Sequence, residues 1–203
     1  MSISKEDHDR IASAIRSVEA KTSGEIVCVL AKSSSQNTAT PLFISAAIAL
    51  AVPWLLMAFT AMTVQRNLSL QVLVFLAILL FLSLPRIRVL LLPRKARRAI
   101  AHQAAMEQFI NRGVARNKDR AGVLIFVSLE ERYARIIAGD DIARHVPQSE
   151  WQTAVDALTR HMRDGRIADG FVSAINACGR VLAQHFPRSR KSDDKLPDRI
   201  YVI

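Results

Sequence analysis

Apolar positions near both ends of this chain predict a small α/β unit. Residues 4–21 carry apolar side chains at helical spacing, which predicts an amphipathic helix. The runs 25–31 and 122–129 are apolar almost throughout, as is typical of strands covered by helices on both faces of a sheet. A further strand at 133–138 and a long helix at 167–186 follow. These elements predict an α/β fold with three layers, α-β-α, around a small central sheet.

Two longer apolar runs have a different character, because neither contains a charged residue. The run 41–64 is long enough for the about 20 residues that a membrane-spanning helix requires, and the run 68–85 is of borderline length. The polar residues 65–67 predict a turn between them. We therefore expect a two-helix transmembrane hairpin within residues 41–93.

The hairpin interrupts the predicted α/β domain instead of preceding it. The expected organisation is an N-terminal helix and first strand (1–40), the hairpin (41–93), the remainder of the α/β domain (94–187), and a polar connector with a short C-terminal strand (188–203). A buried strand needs a hydrogen-bonding neighbour. Because its expected neighbour follows the hairpin, both ends of the hairpin should lie on the same side of the membrane.

The positive charge is concentrated beside the hairpin. The chain has a net charge of +10, and six basic residues with no acidic residue among them follow the second apolar run: Arg86, Arg88, Arg94, Lys95, Arg97 and Arg98. In contrast, Arg66 is the single charge between the two runs. This asymmetry predicts a protein of the cell membrane whose α/β domain and both termini are cytoplasmic. The basic stretch indicates contact with the lipid bilayer, not with nucleic acid.

Candidate chemistry is sparse along the chain. Asp140 and Asp141 follow a predicted strand end, and Glu130-Glu131-Arg132 forms the neighbouring turn. Carboxylates at strand ends can bind a hard cation such as calcium or magnesium. The simpler alternative is that one of the aspartates caps the following helix, as Ser4 with Asp7 and Ser149 with Gln152 are expected to do for other helices. No cofactor is otherwise indicated.

Several segments together resemble the TPM-domain proteins. The resemblance lies in the segments 22–27, 120–128, 131–132 and 135–140, in the helix that contains Trp151, and in the ending 186–187 and 196–200. It covers nearly all of the chain outside the hairpin. The matching positions around the strands and their turn include Gly122, Arg132, Gly139, Asp140 and Asp141.

The resemblance implies a three-layer fold and two kinds of function. The family bears a phosphatase label, and some members look like calcium binders. Others look like assembly, repair or modulatory partners of membrane complexes. In the usual family layout the domain lies outside the cytoplasm. This sequence departs from that layout, because it contains the inserted hairpin and the charges beside it favour a cytoplasmic domain. We expect a membrane-anchored, non-catalytic accessory of another membrane protein; the alternative is a weak, metal-assisted phosphatase.

Overall fold

A computed structural model describes residues 3–34, 39–59, 63–84, 93–114, 122–188 and 197–203, without the side chains of 39–40 and 55–59. The chain divides into two compact units. The α/β unit comprises Met1–Ser34 and Arg98–Ile203, and the helical unit comprises Ser35–Arg97. The helical unit is therefore an insertion into the sequence of the α/β unit, as the sequence pattern predicts.

The described residues form seven helices and four strands. In chain order these are α1 (Lys5–Glu19), β1 (Glu25–Ala31), α2 (Ala39–Phe59), α3 (Val64–Ser83), α4 (Arg94–Asn111), β2 (Gly122–Ser128), β3 (Tyr133–Ala138), α5 (Asp140–Ala143), α6 (Gln148–Arg163), α7 (Ile167–His185) and β4 (Ile200–Val202).

The four strands form one mixed sheet in the order β3-β2-β1-β4. β1 pairs in parallel with β2, from Glu25 opposite Gly122 to Ala31 opposite Ser128, and in parallel with β4. β2 and β3 form an antiparallel hairpin. The predicted neighbours on either side of the insertion are thus hydrogen-bonded partners, and the predicted C-terminal strand is confirmed.

Two cores cover the two faces of the sheet. Alternate residues of β1 and β2, beginning with Ile26 and Val123, pack with α1, α6 and α7 on one face. The intervening residues, including Val29 and Phe126, pack with α4 on the other. This arrangement explains why both strands are apolar almost throughout: side chains on both faces are buried.

Two local expectations were wrong. Helix α3 begins at Val64, so the polar residues 65–67 lie in its first turn instead of in a connecting loop. Helix α6 has Pro147 at its N-cap and lacks a side-chain cap hydrogen bond, so Ser149 and Gln152 form no capping box there. In contrast, the Ser4–Asp7 capping box of α1 is present. Proline suits the start of α6 because its fixed φ is compatible with helix entry.

The helical unit exposes its apolar side chains. Helices α2 and α3 pack against each other. Of the described helices, α3 is long and apolar enough to cross a membrane, and only 11% of its most apolar stretch is buried. The described apolar stretch of α2, Pro41–Trp54, is shorter. Arg86 and Arg88 lie outside the described residues.

Candidate functional site

A pocket of about 280 Å³ lies beside the outer strand of the sheet, within the α/β unit. We call it the edge pocket. Its lining residues come from α4, from β3 and from the segment that joins β3 to α6: His102, Met106, Arg135, Ile136, Ile137, Ala138, Ala143, Val146, Gln148 and Trp151. Because these elements are fixed by the two cores, the pocket is a preformed feature of the fold.

The edge pocket combines an apolar wall with a few polar groups. Trp151 is fully buried and Val146 nearly so, which makes that wall rigid. On the opposite side, the Nδ1 atom of His102 is buried, with no hydrogen-bond partner among the described residues. Arg135 makes no ion pair within the described part of the chain. A few polar groups on an apolar wall are typical of a recognition site, and Arg135 gives this one a preference for anionic groups.

Asp140 and Asp141 lie in the first turn of α5, where both are exposed. Gly139 is the N-cap of α5, and no side chain caps it, so the expectation that one of the aspartates caps this helix was wrong. Asp141 instead lies 3.6 Å from Arg144 in an exposed ion pair. Neither aspartate lines the edge pocket.

The two acidic clusters predicted from the sequence are not brought together. Asp140 follows the C-terminal end of β3, whereas Glu131 precedes its N-terminal end. The six residues of β3 separate them by about 20 Å, at about 3.3 Å per residue. Within the described ranges, no group of three or more His, Cys, Asp or Glu side chains is placed to hold a metal ion. A calcium or magnesium site at the aspartates therefore stays a prediction.

The glycines and the arginine that match the family pattern occupy structural positions. The N–H of Gly139 donates to the carbonyl of Gly122 at 2.9 Å, which continues the β2–β3 ladder by one pair. A Cβ atom on Gly122 would lie 2.6 Å from Cγ1 of Val114, so only glycine fits there. Arg132 has a φ of 51° and closes the β2–β3 turn, its N–H donating to Leu129 at 3.2 Å.

Glu131 belongs to the turn between β2 and β3, and its side chain is buried. Its carboxylate accepts hydrogen bonds from the hydroxyl of Ser128, from the hydroxyl of Ser33 at 3.1 Å and from the N–H of Ser34 at 3.0 Å. Burial alone would raise the pKa of Glu131, but these hydrogen bonds outweigh it and lower the pKa below the ordinary value of 4.5. Glu131 thereby ties the ends of β1 and β2 together.

The two cysteines are not poised for nucleophilic chemistry. Cys28 and Cys178 are both buried free thiols in the core. Burial raises the pKa of Cys178 to about 12 and raises that of Cys28 well above its ordinary value. A thiol held in this way supplies no thiolate at neutral pH, so neither residue adds a reactive group to the α/β unit.

Basic residues dominate the start of α4. Arg94, Lys95 and Arg98 are exposed, and Arg97 is half-buried. The first turn of this helix contains no acidic residue. Cations at a helix N-terminus oppose the helix dipole, so helix stability does not explain this cluster. An anionic surface, such as lipid headgroups, would offset the unfavourable interaction between these cations and the helix dipole.

Comparison with known proteins bears out the sequence resemblance. The family model of the TPM domain matches residues 84–181. The NMR structure of the BA42 protein from the psychrophilic bacterium Bizionia argentinensis is similar, with a TM-score of 0.63 and 22% sequence identity over 100% of this chain and 96% of that chain. At this identity the likeness concerns the fold alone. No curated protein matches the sequence at a significant level.

Proposed function

We propose that this TPM-domain protein is anchored in a membrane by the helical hairpin α2–α3 and acts as a non-catalytic accessory of other membrane proteins. The observation that carries the proposal is the outward-facing apolar surface of α3. Its side chains include Leu73, Leu76 and Leu80, which are 63%, 57% and 76% exposed. Contiguous apolar surface of this kind is unfavourable in water and is expected where lipid replaces water.

The dimensions of α3 support a membrane-spanning role. Twenty residues at about 1.5 Å per residue give about 30 Å, which matches the hydrocarbon thickness of a bilayer. Helix α2 is one residue longer, and Pro53 lies inside it. Proline within a helix is tolerated in membranes when neighbouring groups satisfy the freed backbone carbonyl. We therefore assign α2 as the other membrane-spanning helix of the hairpin.

In this proposal, the pairing of β1 with β2 requires both ends of the hairpin to lie on the same side of the membrane. The strands on either side of the insertion are neighbours in one sheet, so the chain must return to the side from which it entered. The basic residues at the start of α4 favour the cytoplasmic side, and at the opposite end of the hairpin Arg66, in the first turn of α3, is a single charge. The α/β unit and both termini are then cytoplasmic.

The side chains of the α/β unit support binding more than catalysis. The buried carboxylate of Glu131 accepts structural hydrogen bonds, and both thiols are buried in the core. Arg135 and His102 line the edge pocket, where they suit recognition of a partner's polar group. The phosphatase alternative requires Asp140 and Asp141 to hold a cation.

Reporter fusions test the topology. A reporter fused after Gln65 should be active only outside the cytoplasm, because the first turn of α3 is expected on that side. A reporter fused after Ile203 should be active only inside. The reverse pattern would contradict the orientation, and cytoplasmic activity of both fusions would contradict the two spans.

An Asp140→Asn, Asp141→Asn double variant separates the accessory role from the phosphatase alternative. Both side chains are exposed, so we expect a stability change within about 1 kcal/mol, from the lost dipole interaction at the start of α5. Thermal unfolding of the detergent-purified protein should be the same with and without millimolar calcium, in both forms. A large calcium-dependent stabilisation that disappears in the variant would instead support a metal site.

A further inference from the structure

The edge pocket receives side chains from both faces of the sheet at its outer strand. Arg135 lies on the face of β3 that α4 covers, because it is directly opposite Phe126 of that core. Successive side chains of a strand alternate between the two faces, so Ile136 and Ala138 line the pocket from the other face. Ile136 is only 1% exposed. The pocket therefore presents side chains, and not an open strand, to a ligand.

Apolar side chains form most of the pocket lining. Trp151 and Val146 are almost completely buried and belong to the larger core, so this part of the wall is held in place. Met106 is 38% exposed, and its unbranched side chain can adjust to the shape of a ligand. Covering apolar surface of this kind is favourable in water. Part of the ligand is therefore expected to be apolar.

Three polar side chains interrupt the apolar lining, and each can donate a hydrogen bond: Arg135, His102 and Gln148. The lining residues that the structure describes include no aspartate or glutamate. Arg135 forms no ion pair with a described carboxylate, and Nδ1 of His102 is buried without a partner in the same part of the chain. An unpaired buried polar atom is costly, so a ligand that pairs with these groups would be stabilising. The polar part of the ligand is therefore expected to be an anion.

The volume and the charge of the pocket restrict the ligand further. Its volume of about 280 Å³ lies just below the range of about 300–1,000 Å³ for drug-sized ligands, which favours a smaller molecule. Ala143 and Gln148 are exposed lining residues, so the ligand can enter from solvent on their side. A carboxylate carries one negative charge, which the single guanidinium balances, whereas a phosphate monoester carries about two.

We propose that the edge pocket binds a small organic acid, with its carboxylate at Arg135 and His102 and its apolar part against Trp151 and Met106. The planar guanidinium offers two parallel N–H donors to a carboxylate, which fixes the orientation of the bound acid. This inference goes beyond the accessory function, because it gives the α/β unit a ligand of its own. It does not depend on the membrane anchor or on the orientation of the hairpin.

Titration of the full chain with phenylacetate, followed by NMR in micelles of a neutral detergent, tests the site. The chain has two tryptophans, and Trp54 is 79% exposed in the helical unit. Trp54→Phe therefore leaves the indole N–H signal of Trp151 as a single reporter inside the pocket. Phenylacetate should shift this signal in a saturable way at millimolar concentration. Absence of a saturable shift would overturn the proposal.

Two relatives of the probe separate its charge from its apolar part. Phenylacetamide has nearly the same shape without the charge, and it should bind at least about tenfold more weakly, because hydrogen bonds between charged groups are the strong ones. Acetate keeps the charge and lacks the ring, so it should also bind more weakly than phenylacetate. Equal affinity of phenylacetate and phenylacetamide would overturn the anionic part of the proposal, and equal affinity of phenylacetate and acetate would overturn the apolar part.

Substitution of Arg135 tests which side chain holds the carboxylate. Arg135→Gln should weaken binding of phenylacetate by at least about tenfold and should change the affinity for phenylacetamide little. Arg180→Gln removes an exposed arginine of α7 and is the matched control, which should leave both affinities unchanged. An equal loss of phenylacetate binding in the two variants would mean that net charge alone attracts the acid, and it would overturn the role of Arg135.

Substitution of Ala143 tests whether the ligand lies inside the pocket. Ala143 is exposed and lines the pocket, so a larger side chain there can occupy pocket volume without disturbing the core. Ala143→Leu should weaken binding of phenylacetate and phenylacetamide alike, in contrast to Arg135→Gln. Unchanged affinity for both molecules in Ala143→Leu would place the ligand outside the edge pocket and would overturn the proposal.

Discussion

A Leu73→Arg, Leu76→Arg double variant is expected to lose nearly all of its membrane insertion. Both leucines lie near the middle of α3 and are exposed on its surface. An arginine at the centre of a membrane-spanning helix costs about 2.5–3.5 kcal/mol on insertion scales, so two should cost about 5–7 kcal/mol. In water the same substitutions at exposed positions would each change stability by no more than about 0.5 kcal/mol.

The chain offers a matched control for this variant. Met106 and Ile110 are exposed apolar residues of α4 in the α/β unit, 38% and 49% accessible. Met106→Arg, Ile110→Arg adds the same charge to a helix that we place outside the bilayer. The measurement is the fraction of protein in the membrane pellet after expression. We expect this control to stay in the pellet; equal distribution of both double variants would contradict a span at α3.

Glu131→Ala is expected to destabilise the α/β unit by about 2–4 kcal/mol, because it removes the carboxylate that accepts from three buried or partly buried donors. Those donors are the hydroxyls of Ser33 and Ser128 and the N–H of Ser34, at the ends of β1 and β2. Glu131→Gln keeps the size of the side chain and one acceptor oxygen, so it should cost less. Chemical unfolding of the detergent-purified proteins checks this order: the free energy of unfolding should decrease from wild type to Glu131→Gln to Glu131→Ala.

The same carboxylate gives a pH dependence with a defined sign. The pKa of Glu131 is lower in the folded protein than its ordinary value of 4.5. The unfolded chain therefore binds more protons, and folding stability falls as pH decreases. The contribution is complete above about pH 4.5 and is lost as pH falls through the lower, folded-state pKa. The stability difference between wild type and Glu131→Gln should be constant at neutral pH and shrink below this range; a difference that grows on acidification would contradict the assignment.

Most of the fold follows from local patterns. The continuous apolar runs of β1 and β2 predict burial on both faces, and the α4 and α6–α7 layers provide it. Helix α6 buries Trp151, Val155 and Leu158, which recur at the helical spacing i, i+4, i+7. These elements are predictable because each depends on a periodicity that a short segment carries by itself.

The contact face of α4 shows where such reasoning fails. Hydrophobicity predicts an apolar side that consists of Ile100, Ala104, Met106, Phe109 and Ile110. Phe109 is buried as predicted, but Ala101 and Ala105 are the other buried residues, and Met106 and Ile110 are exposed. Small alanine side chains let the helix pack closely on the sheet. Side-chain size, and not hydrophobicity alone, therefore decides which face of α4 contacts the sheet. The regular four-residue spacing of Ala101, Ala105 and Phe109 was the sequence signal that could have identified this face.

The candidate site depends on contacts that no local pattern records. Glu131 is buried because Ser33 and Ser34, about one hundred positions earlier, lie beside it at the ends of parallel strands. The edge pocket likewise exists only because residues of α4, of β3 and of the segment that leads into α6 come together in the fold. Sequence reasoning placed the chemistry at Asp140 and Asp141 because adjacent carboxylates are visible in sequence, whereas Arg135 and His102 are 33 residues apart.

Alkaline extraction of native membranes tests the membrane anchor most directly. Carbonate at high pH releases proteins that are held at a bilayer by charge, such as by the basic start of α4, but not those whose helices span it. We expect the chain to remain in the membrane pellet after carbonate treatment and to be released only by detergent. Release of the intact chain into the carbonate supernatant would contradict the transmembrane hairpin and, with it, the proposed function.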